Sequence, residues 1–483
     1  MLERGREGPL GEQLGRFRIF RATAVRADPP FLPELGIARN VAIEAYEQLI
    51  AEGYLVGRIG SGTFVAEGIT PGIGLRAAGT REASGRTEAA APSGQDAPRA
   101  GDGASGLIRF DTGVPDLERF PRRRWARYLK EAAEEAEGRY DYRDVRGEEG
   151  LRREIAAFLH RSRGMRCEPD RIMIVSGSSE GFALAARTLK PQFDSVCLED
   201  PTIEITGHIF LQSGYRIEPV PVDESGMRVH EIGTLPPGRL LVLTPSHQYP
   251  TGSILPIQRR LHAVQLAEEA DAYIVEDDYD GDFRLKGVPI PPLYTLGPER
   301  VIYAGTFSKT LAPGLRLGFL VLPRSLAGKF AAFKEAANLR TPAVLQAALA
   351  RFIRDGHLER HIYRMRAVYR TRRALLIEAL NRHFGGRAVI RGDEAGMHLL
   401  VEFPDLDAAP EWSRSAEYGV VVDCVEDYCL QRGFRTRQIV LGYGNIREED
   451  IEPGIERLSR FVRERGYGDG QPCRPVVRWP WET

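Results

Sequence analysis

From residue 107 to about 468, short apolar runs alternate with longer segments whose apolar positions recur at helical spacing. The runs at Ile172–Val175 (IMIV), Ser195–Glu199 (SVCLE), Leu240–Pro245 (LLVLTP) and Ala272–Asp278 (AYIVEDD) read as strands separated by helices, which predicts a mostly parallel α/β sheet. Val301–Pro323, VIYAGTFSKTLAPGLRLGFLVLP, predicts two further strands, broken at Gly305 and joined through a polar turn that presents Thr306, Ser308 and Lys309. Residues 341 to 380 predict an arginine-dense pair of amphipathic helices with Met365 and Tyr369 on the apolar face, within a smaller C-terminal domain.

The first 66 residues follow another pattern. A turn at Gly36 precedes Val41, Ala45, Leu49 and Ile50 at helical spacing, the second half of a helix-turn-helix. Next comes YLVGRIGSGTFV, where Gly57 and the Gly60-Ser61-Gly62 cluster punctuate two short strands, a hairpin that reads as a wing. Upstream, Pro29, Pro30 and Pro33 interrupt the chain, and each would cost roughly 3 kcal/mol inside a helix. From Glu67 to Gly106 the composition shifts to Gly, Ala, Pro, Ser and Thr, too poor in apolar surface to offset the entropy of ordering. The expected division is a winged helix-turn-helix at 1–66, a flexible linker at 67–106, an α/β domain at 107–468 and a tail at 469–483.

Composition narrows the partners. With 66 basic and 67 acidic side chains the whole protein exerts no long-range pull on nucleic acid or membrane, so DNA contact must come from a local surface. Arg39 and Asn40 at the start of the second helix, and Arg58 on the wing, are the DNA-binding candidates. The 5 cysteines are scattered and form no Cys-x-x-Cys pair, which excludes a disulfide framework or zinc site. No apolar run reaches membrane-span length and MLERGREGPL lacks a signal-peptide core, so a cytoplasmic protein with no membrane partner is expected.

Chemistry gathers where strands end, the place at which such sheets bind ligands. Ser176-Gly177-Ser178-Ser179-Glu180 is a small-residue turn opening a helix, suited either to an ordinary cap or to phosphate, and it is not a Walker loop. Thr306, Ser308 and Arg316 offer an anion cradle around Lys309, whose pKa burial and the Arg316 cation would both lower, as a Schiff-base lysine requires. A carboxylate such as Asp277 is commonly a cap, yet here it could hold a pyridine nitrogen protonated while Tyr279 bonds the ring hydroxyl. Asp277, Tyr279, Lys309 and Arg316 occur in the order used by fold type I pyridoxal-phosphate enzymes, a combination more specific than any member.

LGIARNVAIEAYEQLIAEGYLVGRIGSGTFV resembles the winged helix of GntR-type repressors, and DTGVPDLERFP, YDYRDVRGEEGLRREIAAFL, SHQYPTG, GTFSKTLAPGLRLG, FIRDGHLERHIYRMRAVYRTRR and GMHLLVEF resemble the aminotransferase-like domain of the MocR/GabR-like regulators. The resemblance implies pyridoxal 5'-phosphate on Lys309, with Asp277 at the pyridinium and Tyr279 at the ring hydroxyl. Ser178, Ser179, Ser308 and Arg316 fall at its phosphate, Thr306 and Tyr249 complete the cofactor set, and no metal is implied. It also implies a homodimer that binds operator DNA and senses a small amino compound through an external aldimine. This chain departs from the family at the recognition turn, where Ile37, Ala38, Val41 and Ala42 replace residues that include hydroxyls. It departs again at Ile203, where an aromatic usually stacks on the ring, and at Ile205 and Val440, where relatives carry carboxylate-binding arginines. Arg143, Arg435 and Arg437 are the substitutes within reach, and a standard α-amino acid or 4-aminobutyrate is disfavoured. The alternatives are a true aminotransferase with a vestigial DNA-binding domain and a sensor of the cofactor itself.

Overall fold

The computed structural model describes residues 106–135, 141–233, 235, 238–285, 291–406 and 408–466, together with two strands at 55–58 and 62–65. The chain divides into two compact units, Met1–Gly94 and Gln95–Thr483. In the first, β1 (Leu55–Arg58) and β2 (Gly62–Val65) pair antiparallel, with Leu55 opposite Val65 and Arg58 opposite Gly62. This is the hairpin expected from the glycine cluster at its tip. The expected recognition helix with Arg39 and Asn40, the proline-interrupted stretch, the linker up to residue 105 and the tail lie outside the described residues.

The second unit begins with β3 (Ile108–Arg109), α1 (Arg122–Glu134) and α2 (Glu149–Arg163). There follow β4 (Ile172–Val175), α3 (Ser178–Leu189), β5 (Ser195–Asp200), α4 (Glu204–Gln212), β6 (Arg216–Asp223) and β7 (Gly226–Met227). Next come β8 (Arg239–Leu243), α5 (Ile257–Glu269), β9 (Ile274–Asp278), β10 (Val301–Thr306) and β11 (Gly318–Val321). Strands β4 to β11 form one sheet in the order β4-β11-β10-β9-β8-β5-β6-β7. The pairs from β10 across to β6 are parallel, and β11 runs antiparallel to both β10 and β4. Each of the four apolar runs read as strands forms one, and the sheet is mostly parallel as expected.

Every residue of β4, β9 and β10 is buried, the demand of a sheet covered on both faces. Gly305 within β10 is required by a close approach, because a Cβ there would lie 2.3 Å from Cζ of Phe319.

Helices α6 (Arg324–Ala336), α7 (Ala343–Arg354) and α8 (His357–Phe384) lead into the smaller layer. Helices α7 and α8 are the expected pair, and Met365 and Tyr369 are buried on α8. The strands β12 (Val389–Arg391), β13 (His398–Glu402), β14 (Val420–Val421), β15 (Asp423–Cys424) and β16 (Gln438–Gly442) precede α9 (Glu448–Arg465). Four of them form an antiparallel sheet in the order β12-β13-β16-β15, while β14 pairs with β3. Among the described residues no helix is long and apolar enough to cross a membrane.

Candidate functional site

Strand register brings the chemistry-bearing turns together. Gly318 lies opposite Val175 of β4 and Thr306 of β10, and Gly305 lies opposite Asp278 of β9. The segments that continue from these positions, Ser176–Ser179, Ser308–Lys309 and Tyr279–Asp280, therefore meet at one edge of the sheet, with Arg316 just before β11.

At that edge α3 starts without a side-chain cap, so its first N–H groups, those of Ser178 and Ser179 among them, face outward. The guanidinium of Arg316 stands beside them and donates from Nη2 to the Ser176 carbonyl at 2.6 Å. Thr306 donates to the Ser308 hydroxyl at 3.1 Å and accepts from the Ser308 N–H at 3.2 Å. A helix N-terminus, an arginine and two hydroxyls together make an anion cradle. Gly177 closes it: its φ is +99°, and a Cβ there would lie 2.8 Å from Arg316 Nη2. Gly177→Ala is therefore expected to push the guanidinium aside and to weaken binding of a phosphorylated cofactor by about tenfold or more, the scale of one lost charge-assisted hydrogen bond. Titration of the cofactor-free protein, followed by the bound cofactor's absorbance, checks this.

Three consecutive carboxylates end β9, and strand alternation separates their roles. Glu276 accepts the backbone N–H groups of Leu293 at 2.7 Å and Tyr294 at 2.8 Å. Asp278 pairs with buried Arg163 at 2.7 Å and accepts from Tyr303 at 2.7 Å. Asp277 points the other way, and no hydrogen bond among the described residues reaches it, although Oδ1 is fully buried. Burial, reinforced by the neighbouring Asp278 charge, pushes its pKa up to about 8, with Lys309 opposing.

Lys309 donates from Nζ to the Gly113 carbonyl at 2.5 Å. Burial lowers its pKa below the ordinary lysine range, and the carboxylates of Asp280 and Asp277 pull it partly back. Arg316 does not help lower it, contrary to expectation: the arginine faces Ser176, and the charges acting on Lys309 are those two carboxylates.

Tyr279 is buried, and its hydroxyl lies 3.2 Å from Nδ1 of His247. The same Nδ1 is 2.9 Å from Asp280 Oδ2, and His398 lies against the imidazole with ring centroids 4.7 Å apart. Neither His247 nor Asp280 is among the residues singled out from the sequence. The one available signal was the clustering of polar residues at the ends of two neighbouring strands.

Tyr249 belongs to a second cluster next to Lys309. Its hydroxyl is 2.8 Å from Thr112 Oγ1, which donates to Asp423 Oδ2 at 3.0 Å. Tyr428 donates to the same oxygen at 3.2 Å, and its ring meets that of Tyr249 edge-on at 5.0 Å. Burial raises the Asp423 pKa, against the hydrogen bonds from Thr112 and Tyr428. The arginines offered as substitute carboxylate binders have partners elsewhere. Arg435 donates to the Val222 carbonyl at 2.5 Å, Arg437 to the Pro404 carbonyl at 3.1 Å, and Arg143 pairs with Glu148 at 3.1 Å. Val440 is fully buried, and Ile205 is exposed.

These residues fit a pyridine-ring cofactor bearing a phosphate. The unpartnered buried carboxylate of Asp277 suits a protonated ring nitrogen, and the cradle at Gly177 leaves room only where a side chain is missing.

The family model described as aminotransferase class I and II matches residues 105–439. Along almost its whole length the chain is similar to the "Probable rhizopine catabolism regulatory protein MocR" of Rhizobium meliloti, at 34% identity over 97% of both chains. It is similar also to the HTH-type pyridoxine biosynthesis transcriptional regulator PdxR of Corynebacterium glutamicum, at 32% identity over 94% of this chain and 95% of that one. Among solved structures, Pyrococcus horikoshii kynurenine aminotransferase superposes with a TM-score of 0.68 at 28% identity, covering 75% of this chain and 92% of its own.

Proposed function

The chain belongs to the aminotransferase class I and II family and, over nearly all its length, to the MocR/GabR-like transcription regulators, and on that premise we propose that residues 107–468 bind pyridoxal 5'-phosphate as a sensor for an amino compound while residues 1–66 form the winged helix-turn-helix that binds operator DNA. The observation that carries the sensor reading is the meeting of Lys309, unpartnered Asp277 and the anion cradle at one sheet edge.

When bound, pyridoxal phosphate supplies a carbonyl that condenses with amines and a ring that withdraws electrons. Lys309 is the residue assigned to hold it covalently. Burial makes its ammonium easier to deprotonate, which exposes the nucleophilic amine. Asp277 holds a proton on the ring nitrogen, and Tyr279, steadied by His247 and Asp280, bonds the ring hydroxyl. Ser178, Ser179, Thr306, Ser308 and Arg316 take the phosphate. Tyr249 borders the ring and the effector space. When not joined to the cofactor, Lys309 would have the Gly113 carbonyl, 2.5 Å from Nζ, as its acceptor.

Occupancy by effector changes contacts at Lys309, and a difference of contacts between two domain arrangements is what shifts DNA affinity. The assembly inferred is a cytoplasmic homodimer whose two winged helices, with Arg39, Asn40 and Arg58 toward the DNA, read separated half-sites. A gel-shift titration of the full-length holoprotein against the DNA flanking its own gene, beside a scrambled duplex, tests the reading. Specific retardation that weakens steeply with salt is the expected result. Sustained turnover of amine and keto acid without retardation would overturn it in favour of an aminotransferase.

A further inference from the structure

The wall that runs from the Gly113 carbonyl through Thr112 ends on a carboxylate, Asp423, the wrong charge to meet that of an amino acid. Thr112 directly precedes Gly113, whose carbonyl receives the Lys309 ammonium, so the cluster of Thr112, Tyr249, Tyr428 and Asp423 borders the position at which an incoming amine must sit. In that cluster both hydrogen bonds to the Asp423 carboxylate end on Oδ2, and none among the described residues reaches Oδ1. Asp423 lies opposite Val440 on β16, and Val440 is packed among Leu400, Val425 and Tyr428. The cation acting on Asp423 is Arg109, itself paired with Asp111 at 3.0 Å. A carboxylate placed here would face another carboxylate in a half-buried setting, where the nearby Arg109 guanidinium is already engaged by Asp111, and the repulsion would be unfavourable. A hydroxyl or ammonium would instead find an open acceptor at Oδ1 and three hydroxyls around it.

We propose that the effector is a primary amine without an α-carboxylate, bearing hydroxyl or second amino groups close to its reacting nitrogen, and that Asp423, Thr112, Tyr249 and Tyr428 select it by accepting those donors. The proposal rests on the assignment of Lys309 to the cofactor. Asp423 is then a specificity-determining residue, and its charge excludes amino acids as much as it attracts the effector.

The test is a binding titration of the full-length holoprotein followed by the cofactor's visible absorbance, with 2-amino-1,3-propanediol and 1,2-diaminoethane against glycine, L-alanine and 4-aminobutyrate. Either donor-rich amine should bind at least about tenfold more tightly than any of the three amino acids, and the order of the two tells hydroxyl recognition from ammonium recognition. Asp423→Asn should weaken the preferred amine by about tenfold or more and narrow the gap to the amino acids. Tyr428→Phe, which removes a single hydroxyl, should weaken it by a smaller factor and keeps the test open if the first variant misfolds. Equal or tighter binding of an amino acid, or a preference that both variants leave untouched, overturns the proposal. So does a spectrum that no amine moves. In that last case borohydride reduction and peptide mapping separate the two levels: cofactor fixed on Lys309 sinks only the effector class, and its absence sinks the cofactor assignment as well.

Discussion

Lys309→Ala is expected to abolish covalent retention of pyridoxal phosphate, so that borohydride reduction of the variant leaves no cofactor on the chain after denaturation. No other described lysine stands in its place. Lys334 is the buried alternative, but its ammonium is engaged by the Ile174 carbonyl and lies 3.3 Å from Glu180. It serves the packing of α6 against α3 and β4, away from Asp277 and Tyr279. The cradle and Asp277 survive in the variant, so weak non-covalent binding is expected to persist. Stability should report the loss. A ligand held at about a hundred times its dissociation constant stabilises by about 2.7 kcal/mol, and most of that margin disappears once the covalent link is gone. Thermal denaturation with and without added cofactor measures it: wild type should gain several degrees on loading, and the variant little. Because burial already disfavours the Lys309 ammonium, the cofactor-free variant should be no less stable than the cofactor-free wild type. A variant that still carries reducible cofactor and still answers to amines would sink the assignment.

How much of this could be read from sequence depends on how local each cause is. Strands such as IMIV at Ile172–Val175 announce themselves because a fully buried parallel strand is apolar at every position. That Ser178, Asp277, Tyr279, Lys309 and Arg316 would gather at one sheet edge was readable because all sit within a few residues of a strand end, so that once the sheet is parallel their meeting follows from topology. Even the choice of Asp277 between two other carboxylates follows from the alternation of side chains along β9. The Asp423 cluster was not readable. Thr112 and Asp423 are 311 positions apart, and they meet through a strand of two residues whose pairing no local pattern announces. The link between His247 and Asp280 was hidden for a related reason, since it joins the ends of two adjacent strands and depends on side-chain direction more than on residue type. The effect of Arg316 on Lys309 was misjudged because nearness in sequence was taken for nearness of charge, whereas the guanidinium turns to the Ser176 carbonyl.

Asp277→Asn is expected to act in opposite directions on the cofactor-free and the loaded protein. In the cofactor-free chain burial pushes the Asp277 carboxyl up to about 8, far above the value it has when unfolded. Between roughly pH 4 and pH 8 the folded chain thus holds a proton that the unfolded chain has released. Fewer protons are bound on unfolding, so the contribution of this group to stability falls as pH rises, by at most about 1.4 kcal/mol per pH unit, and levels off once the folded group is itself ionised. Asparagine has no such dependence. The stability of the variant relative to wild type should therefore grow from acid toward pH 8 and stay constant beyond it. Glu199 and Glu276, each raised to about 7 by burial, titrate in the same window, but both are common to the two proteins, and what remains in the difference is the coupling of Glu199 to Asp277. Loaded protein should show the reverse, because a protonated ring nitrogen gives the ionised carboxylate the partner it lacks and asparagine offers only a neutral acceptor. Cofactor affinity in the variant should drop by about tenfold to a hundredfold, the range for one charge-assisted hydrogen bond. Denaturation of both cofactor-free proteins from pH 5 to pH 9, with cofactor titrations at pH 8, decides the matter. Parallel stability curves together with unchanged affinity would mean that the unpartnered carboxylate at the end of β9 does not hold the ring.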